Sequence, residues 1–162
     1  MKKLLLISSL FSSIFFSSAF SEIKIGILFG FTGPIEPLTP IMAESAELAF
    51  QEASDSELLL GGEKIVSIKA DSTCTNPDAA SEAAKKIFNE NVAAIVGAIC
   101  LEETKMILSK SNFSNKIVLI SPAASFPSLK DLQRKNFFYR IGTSDNRGGQ
   151  ILADITKDKK IK

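Results

Sequence analysis

Few side chains in this sequence can do chemistry, and they cluster. Asp71 stands just before Cys74, and Glu102-Glu103 follow Cys100 within three residues. Hydroxyls gather at Ser72, Thr73 and Thr75, and again at Ser121 and Ser125. The chain contains no histidine, so a Ser-His-Asp or Cys-His nucleophile cannot be assembled within it, and histidine-bearing zinc sites are excluded. No run of acids has the spacing of a calcium loop. Glu102 and Glu103, adjacent at a helix start, point in different directions and suit the positive end of the helix dipole better than a paired acid and base. Asp71 fits an Asx turn that accepts hydrogen bonds from its own loop. Gly26, Gly30 and Gly33 do not have the Gly-x-Gly-x-x-Gly spacing of a dinucleotide turn, and no Walker-type phosphate loop occurs. No catalytic constellation, metal site or cofactor is therefore expected.

The two cysteines are read through the compartment. Lys2 and Lys3 precede a largely apolar run, Leu4 to Phe16, and Ala19-Phe20-Ser21 offers small residues at a cleavage site. This is the pattern of a secretory leader, residues 1–21, with processing after Ser21 and a mature chain of residues 22–162 in the periplasm. In an exported protein an even cysteine count suggests a disulfide, with two buried thiols as the alternative. Removing Lys2 and Lys3 from the 19 basic residues leaves 17 against 18 acidic ones, a net charge of −1. That balance carries no electrostatic footprint for nucleic acid.

These residues need elements to position them. Glu22 to Phe29 reads as a strand, ended by Gly30-Phe31-Thr32-Gly33-Pro34. From Ile41 to Ala53, apolar residues at Ile41, Met42, Ala46, Ala49, Phe50 and Ala53 recur at helical spacing. After a turn at Gly61-Gly62, Lys64 to Ala70 is the second strand. Asn76-Pro77-Asp78 then supplies a cap, a proline at the first helical position and an acid in the first turn, opening a helix to Asn89.

Ala93 to Gly97 is a short buried strand, Leu101 to Ser111 a helix and Ile117 to Ile120 a strand that Ser121-Pro122 stops. Leu129 to Leu132 makes a helical turn and Phe137 to Ile141 a fifth strand. Ser144-Asp145-Asn146 can cap a final helix reaching Thr156, whose Gly148-Gly149 reads as close packing or a bend.

Strands alternating with helices specify an α/β fold: an open, mostly parallel sheet with helices on both faces. In such a sheet the loops after the strands share one edge, where ligands bind. Those loops, 30–39, 71–75, 98–103 and 121–127, hold both cysteines and many of the hydroxyls.

Five stretches in order, Ile-Lys-Ile-Gly-Ile-Leu with Thr-Gly-Pro-Ile, Asp-Ser-Thr-Cys-Thr-Asn-Pro, Ile-Val-Gly-Ala-Ile-Cys, Ile-Ser-Pro-Ala-Ala-Ser and Phe-Tyr-Arg-Ile, resemble the leucine/isoleucine/valine-binding proteins. These are periplasmic solute receptors of ABC importers with the type I binding-protein fold. The resemblance spans residues 22 to about 162 and implies the N-terminal lobe only, with flavodoxin-like strand order, the second lobe being absent from this sequence.

It also implies a Cys74–Cys100 disulfide and a ligand loop at Ala123, Ala124 and Ser125, where backbone groups and a hydroxyl hold an amino acid's charged end. Two positions depart from the family pattern: Leu101 replaces a ligand-binding serine, and Leu38 replaces an aromatic residue.

The expected function is that of a solute-binding component of an ABC importer for branched-chain amino acids or related small polar molecules. It would be a monomer, partnered by a small-molecule ligand and a membrane permease, and not an enzyme. The rival expectation is an exported interaction or structural module with the same fold and no working pocket.

Overall fold

The computed structural model describes residues 22–56, 58–59, 62–109, 117–130 and 137–160. The expected leader, Gly61 of the expected turn, Ser111 at the predicted helix end and Asp131-Leu132 of the predicted helical turn lie outside the described residues.

Five strands, β1 (Glu22–Phe29), β2 (Lys64–Asp71), β3 (Ala94–Gly97), β4 (Val118–Ser121) and β5 (Phe138–Arg140), form one sheet in the order β2-β1-β3-β4-β5. Every pairing is parallel. The expected sheet was mostly parallel; the observed one is parallel throughout. Among the described residues four helices accompany it: α1 (Thr39–Asp55), α2 (Pro77–Asn89), α3 (Leu101–Ser109) and α4 (Asp145–Asp158). The turn predicted at Leu129 is a short 3-10 helix, Pro127–Leu129.

Because side chains alternate along a strand, β1 serves both faces. Leu28 enters a cluster with Ala83, Ala84 and Ile87 of α2 and Ile107 and Leu108 of α3. Its neighbours Ile27 and Phe29 pack on the opposite side with Ala43, Met42, Ala46 and Phe50 of α1. Helices thus cover both faces. The packing stripe of α1 is shifted from the predicted one: Thr39 and Ala43 are its buried residues, whereas Ile41 is 67% exposed and Ala49 is also in solvent. Helical geometry explains the shift, since positions 39, 42, 43, 46 and 50 share a face that 41 and 49 leave.

The α2 reading is met in detail. The Asn76 side chain accepts hydrogen bonds from the backbone N–H groups of Asp78 (3.0 Å) and Ala79 (3.1 Å), satisfying two donors that a helix start otherwise strands. At α4 the reading is corrected. Ser144 holds the capping position without a side-chain cap hydrogen bond, and nothing lies within 4 Å of a Cβ built on Gly148 or Gly149, so they are not packing contacts.

Gly26 sets how close α2 can come to the sheet. A Cβ there would lie 2.5 Å from Ile87 Cγ2 and 3.1 Å from Ile95 Cγ1. Gly26→Ala is therefore expected to destabilise the fold by about 1–3 kcal/mol through overpacking, measured by urea unfolding. Ile87→Ala in the same chain should relieve part of the clash, giving a double-variant loss smaller than the sum of the single losses.

Candidate functional site

All strands point one way, so their exits share one edge, and hydrogen bonds stitch those exits together. At the first exit the Thr39 hydroxyl, buried at the start of α1, donates to the Gly30 carbonyl at 2.9 Å. The second exit is tied to the first by Asp71. Its carboxylate accepts from the Thr32 N–H (3.2 Å), the Thr32 hydroxyl (2.5 Å) and the Thr73 N–H (2.8 Å). The Asx turn read from the sequence is present, and it also grips the neighbouring loop. Burial would raise the Asp71 carboxyl pKa, but donors from Thr32, Thr73 and Phe31 together hold it below the ordinary aspartate value.

Close backbone approach at this edge demands glycine twice. Gly33 has φ +92°, and a Cβ there would meet the Thr73 carbonyl oxygen at 2.4 Å. Gly97 has φ +140°, with the Leu28 carbonyl oxygen 2.3 Å from the same position. Thr73 and Cys74 also take left-handed φ angles of 61° and 58°, a conformation costing about 1 kcal/mol or more for each such non-glycine residue. The network around Asp71 and the Cys74–Cys100 disulfide hold that turn in place. The disulfide spans 5.6 Å between Cα atoms and joins the exits of β2 and β3. Cys100 in turn caps α3 with its carbonyl, which accepts from the Thr104 N–H (3.0 Å) and hydroxyl (2.6 Å).

The fourth exit carries the expected ligand loop. Its organiser is Ser121, which the sequence marked only as a strand end. Ser121 is the buried last residue of β4; its hydroxyl donates to the Ala98 carbonyl and accepts from the Ala124 N–H at 3.0 Å. The outer part of the loop is fastened from the end of β5 and the start of α4. The Asp145 N–H donates to the Ser125 carbonyl at 3.0 Å, and the Arg140 guanidinium donates to the Phe126 carbonyl at 2.8 Å.

These bonds divide the loop by task. Ala124 is buried and its N–H is committed to Ser121. Ala123 is exposed and Ser125 half-buried; among the described residues, their backbone N–H groups and the Ser125 hydroxyl have no hydrogen-bond partner. The loop therefore presents two N–H donors and one hydroxyl from a fixed frame. Donors of this kind suit an oxyanion such as a carboxylate.

Leu101 opens α3 directly after the disulfide and packs, half-buried, against the core cluster. Leu38 precedes α1 and is 63% exposed. Sequence reasoning missed Ser121, Thr39 and the Thr32–Asp71 bridge. The available signal at Ser121 was a hydroxyl placed where a proline ends a buried strand.

Two outcomes follow for stability. Reducing the disulfide, or replacing both cysteines with alanine, should lower unfolding free energy by about 3 kcal/mol, as loop-closure entropy predicts; urea titration with and without reductant measures it. Because the folded-state Asp71 pKa is depressed, its stabilisation is full above the unfolded aspartate value of about 3.9 and lost as pH falls through the folded value. Asp71→Asn should therefore be less stable than the parent at pH 6, with the gap closing below about pH 4 in parallel thermal melts.

Residues 41–161 match the family model described as "Receptor family ligand binding region". The chain is 26% identical over 149 residues to a leucine-, isoleucine-, valine-, threonine-, and alanine-binding protein of Pseudomonas aeruginosa, covering 90% of this chain and 39% of that protein. It is 28% identical over 151 residues to a Leu/Ile/Val-binding protein homolog of Brucella melitensis, covering 91% and 40%.

Among solved structures, a possible leucine/isoleucine/valine-binding protein from Rhodopirellula baltica superposes with a TM-score of 0.73 at 18% identity, covering 86% of this chain and 37% of that one. A solute-binding protein of an R. palustris ABC transporter in complex with benzoate gives a TM-score of 0.69 at 20% identity, covering 88% and 38%. The chain thus spans about two-fifths of the length of the curated relatives it matches. With a family model matched over most of its length and the sheet order in place, the chain belongs to the receptor ligand-binding-region family and has the type I periplasmic binding-protein α/β fold.

Proposed function

We propose that this chain is the first lobe of an exported solute-binding component of an ABC importer, acting in the periplasm with a membrane permease as its partner. Its ligand is a small carboxylate, either a branched-chain amino acid or a less polar relative. The observation that carries this reading is the loop at Ala123–Ser125, whose unpartnered donors are held by Ser121, Asp145 and Arg140.

The mechanism is capture. The N–H groups of Ala123 and Ser125 and the Ser125 hydroxyl receive the carboxylate. A second lobe, for which the relatives have the length, would close over the remainder of the ligand by the hinge motion of periplasmic binding proteins. The absence of histidine from the chain agrees with binding rather than turnover.

Leu101 favours the less polar end of the ligand range. It stands where the family resemblance places a serine, and supplies apolar surface instead of a hydroxyl. The benzoate complex of the R. palustris neighbour is the reason an aromatic carboxylate joins the panel.

Isothermal titration of the receptor against leucine, isoleucine, valine, threonine and benzoate tests the reading. One of these should bind, Ser125→Ala should weaken it about tenfold, the loss of one good hydrogen bond at about 1.4 kcal/mol, and Ser125→Phe should abolish it. Binding that ignores both substitutions, or covalent turnover of a panel member, would overturn the proposal.

A further inference from the structure

The last helix does not pack as the first three do. Each of α1, α2 and α3 contributes buried side chains, whereas α4 has none. Its sequence is nevertheless two-sided. Gly148, Ile151, Leu152 and Ile155 fall at i, i+3, i+4 and i+7, one side of a helix, and Asn146, Gln150, Asp154 and Lys157 fall on the other. The three large apolar residues of that side are all exposed. Nothing lies within 4 Å of a Cβ built on Gly148, so the close packing that a helical glycine permits is not used in this lobe.

Alpha-helix α4 is tied to the lobe at its first residue. Among the described residues, its tie to the rest of the chain is the Asp145 N–H, which donates to the Ser125 carbonyl at 3.0 Å. The link before it is open. Ile141 is exposed, and the nearest atom to a Cβ built on Gly142 is the Pro122 carbonyl oxygen at 3.9 Å. A helix held at one end behind an uncrowded glycine can change its angle to the sheet without disturbing the core.

We propose that α4 is built into the second lobe rather than this one, with Gly148, Ile151, Leu152 and Ile155 as the side that packs there. The Asp145–Ser125 hydrogen bond then couples the ligand loop to that lobe. Ser125 turns its N–H and hydroxyl to the ligand while its carbonyl holds α4. This rests on the two-lobe reading and moves the boundary between the lobes to the link 141–144.

Length and charge choose among the possible occupants. The chain spans about two-fifths of the curated relatives it matches, which leaves ample chain for a lobe that α4 would join. A lipid surface suits the helix poorly, because Asp154 and Asp158 alternate with Lys157 and Lys159 and leave no cationic face. A second copy meeting this 14-residue helix along its length would share a footprint of about 200 Å² per partner, from a helix about 21 Å long and about 10 Å wide. A standard interface takes about 800 Å² per partner.

The test compares the complete product of the gene with the 162-residue chain. Amides of α4 should exchange hydrogen at least tenfold more slowly in the complete product. Ile151→Asp together with Ile155→Asp should leave the urea midpoint of the 162-residue chain unchanged, and lower the second lobe's midpoint in the complete product. Asp145→Pro removes the donor and keeps the helix, since proline is tolerated at the first helical position and Ser144 before it is already extended, with ψ 138°. It should weaken the panel ligand about tenfold in the complete product while both unfolding transitions stay in place, and Asp145→Asn, which keeps the N–H, should bind more tightly than Asp145→Pro.

Equal exchange of α4 in the two proteins, a gene product that ends at Lys162, or stripe variants that move neither transition would overturn the placement of α4. Parent-like affinity in Asp145→Pro would overturn the coupling. If no panel member binds while the stripe variants still lower the second lobe's midpoint, the ligand reading and the coupling fall together and α4 keeps its place.

Discussion

The Ser121 hydroxyl, buried between the third and fourth strand exits, is the contact on which the order of this edge depends. It donates to the Ala98 carbonyl and accepts from the Ala124 N–H, so one side chain satisfies a polar group on each of two loops that have left the sheet ladder. Away from water each of those groups would otherwise go unpaired at a cost of about 1–3 kcal/mol. Because Ala124 is thereby committed, the donors of Ala123 and Ser125 are held in a loop that cannot drift. A loop ordered in advance in this way has no ordering entropy left to lose on meeting a partner.

The same logic recurs along the edge with different chemistry at each exit. Asp71 holds the first and second exits by charge-assisted hydrogen bonds from Thr32 and Thr73. The disulfide holds the second and third covalently, and Ser121 holds the third and fourth. The three ties link the exits in chain order, the disulfide reaching from β2 to β3 past the intervening β1. They meet at strained backbone: Thr73 and Cys74 are left-handed, while Gly33 and Gly97 admit carbonyl oxygens where no side chain fits. Strain of this kind persists where surrounding contacts over-determine the conformation.

Below the edge, the core is conventional and supports it. Leu28 packs towards α2 and α3 while Ile27 and Phe29 pack towards α1, so β1 anchors both faces. It lies between β2 and β3 in the sheet, the two strands whose exits the disulfide joins. Gly26 lets α2 approach this strand closely, and α2 follows directly from the loop that carries Cys74.

Local chemistry made much of this legible in the sequence. Apolar runs between turn residues marked the five strands, Asn76-Pro77-Asp78 marked the start of α2, and alternation of strand and helix dictated a parallel sheet, since each right-handed crossover returns the chain in the same direction. The placement of four loops on one edge followed from that alone. What the sequence could not decide was which polar groups meet across those loops.

Ser121, Thr32 and Thr39 are ordinary hydroxyls until folding brings carbonyls and a carboxylate within reach, from residues 23, 39 and 9 positions away. Glu102 and Glu103 are indistinguishable as adjacent acids, yet the roughly 100° between successive helical residues sends one to solvent and the other against the disulfide. Spacing along the chain determines which elements form; only the packing of one element on another determines which side chains share a site.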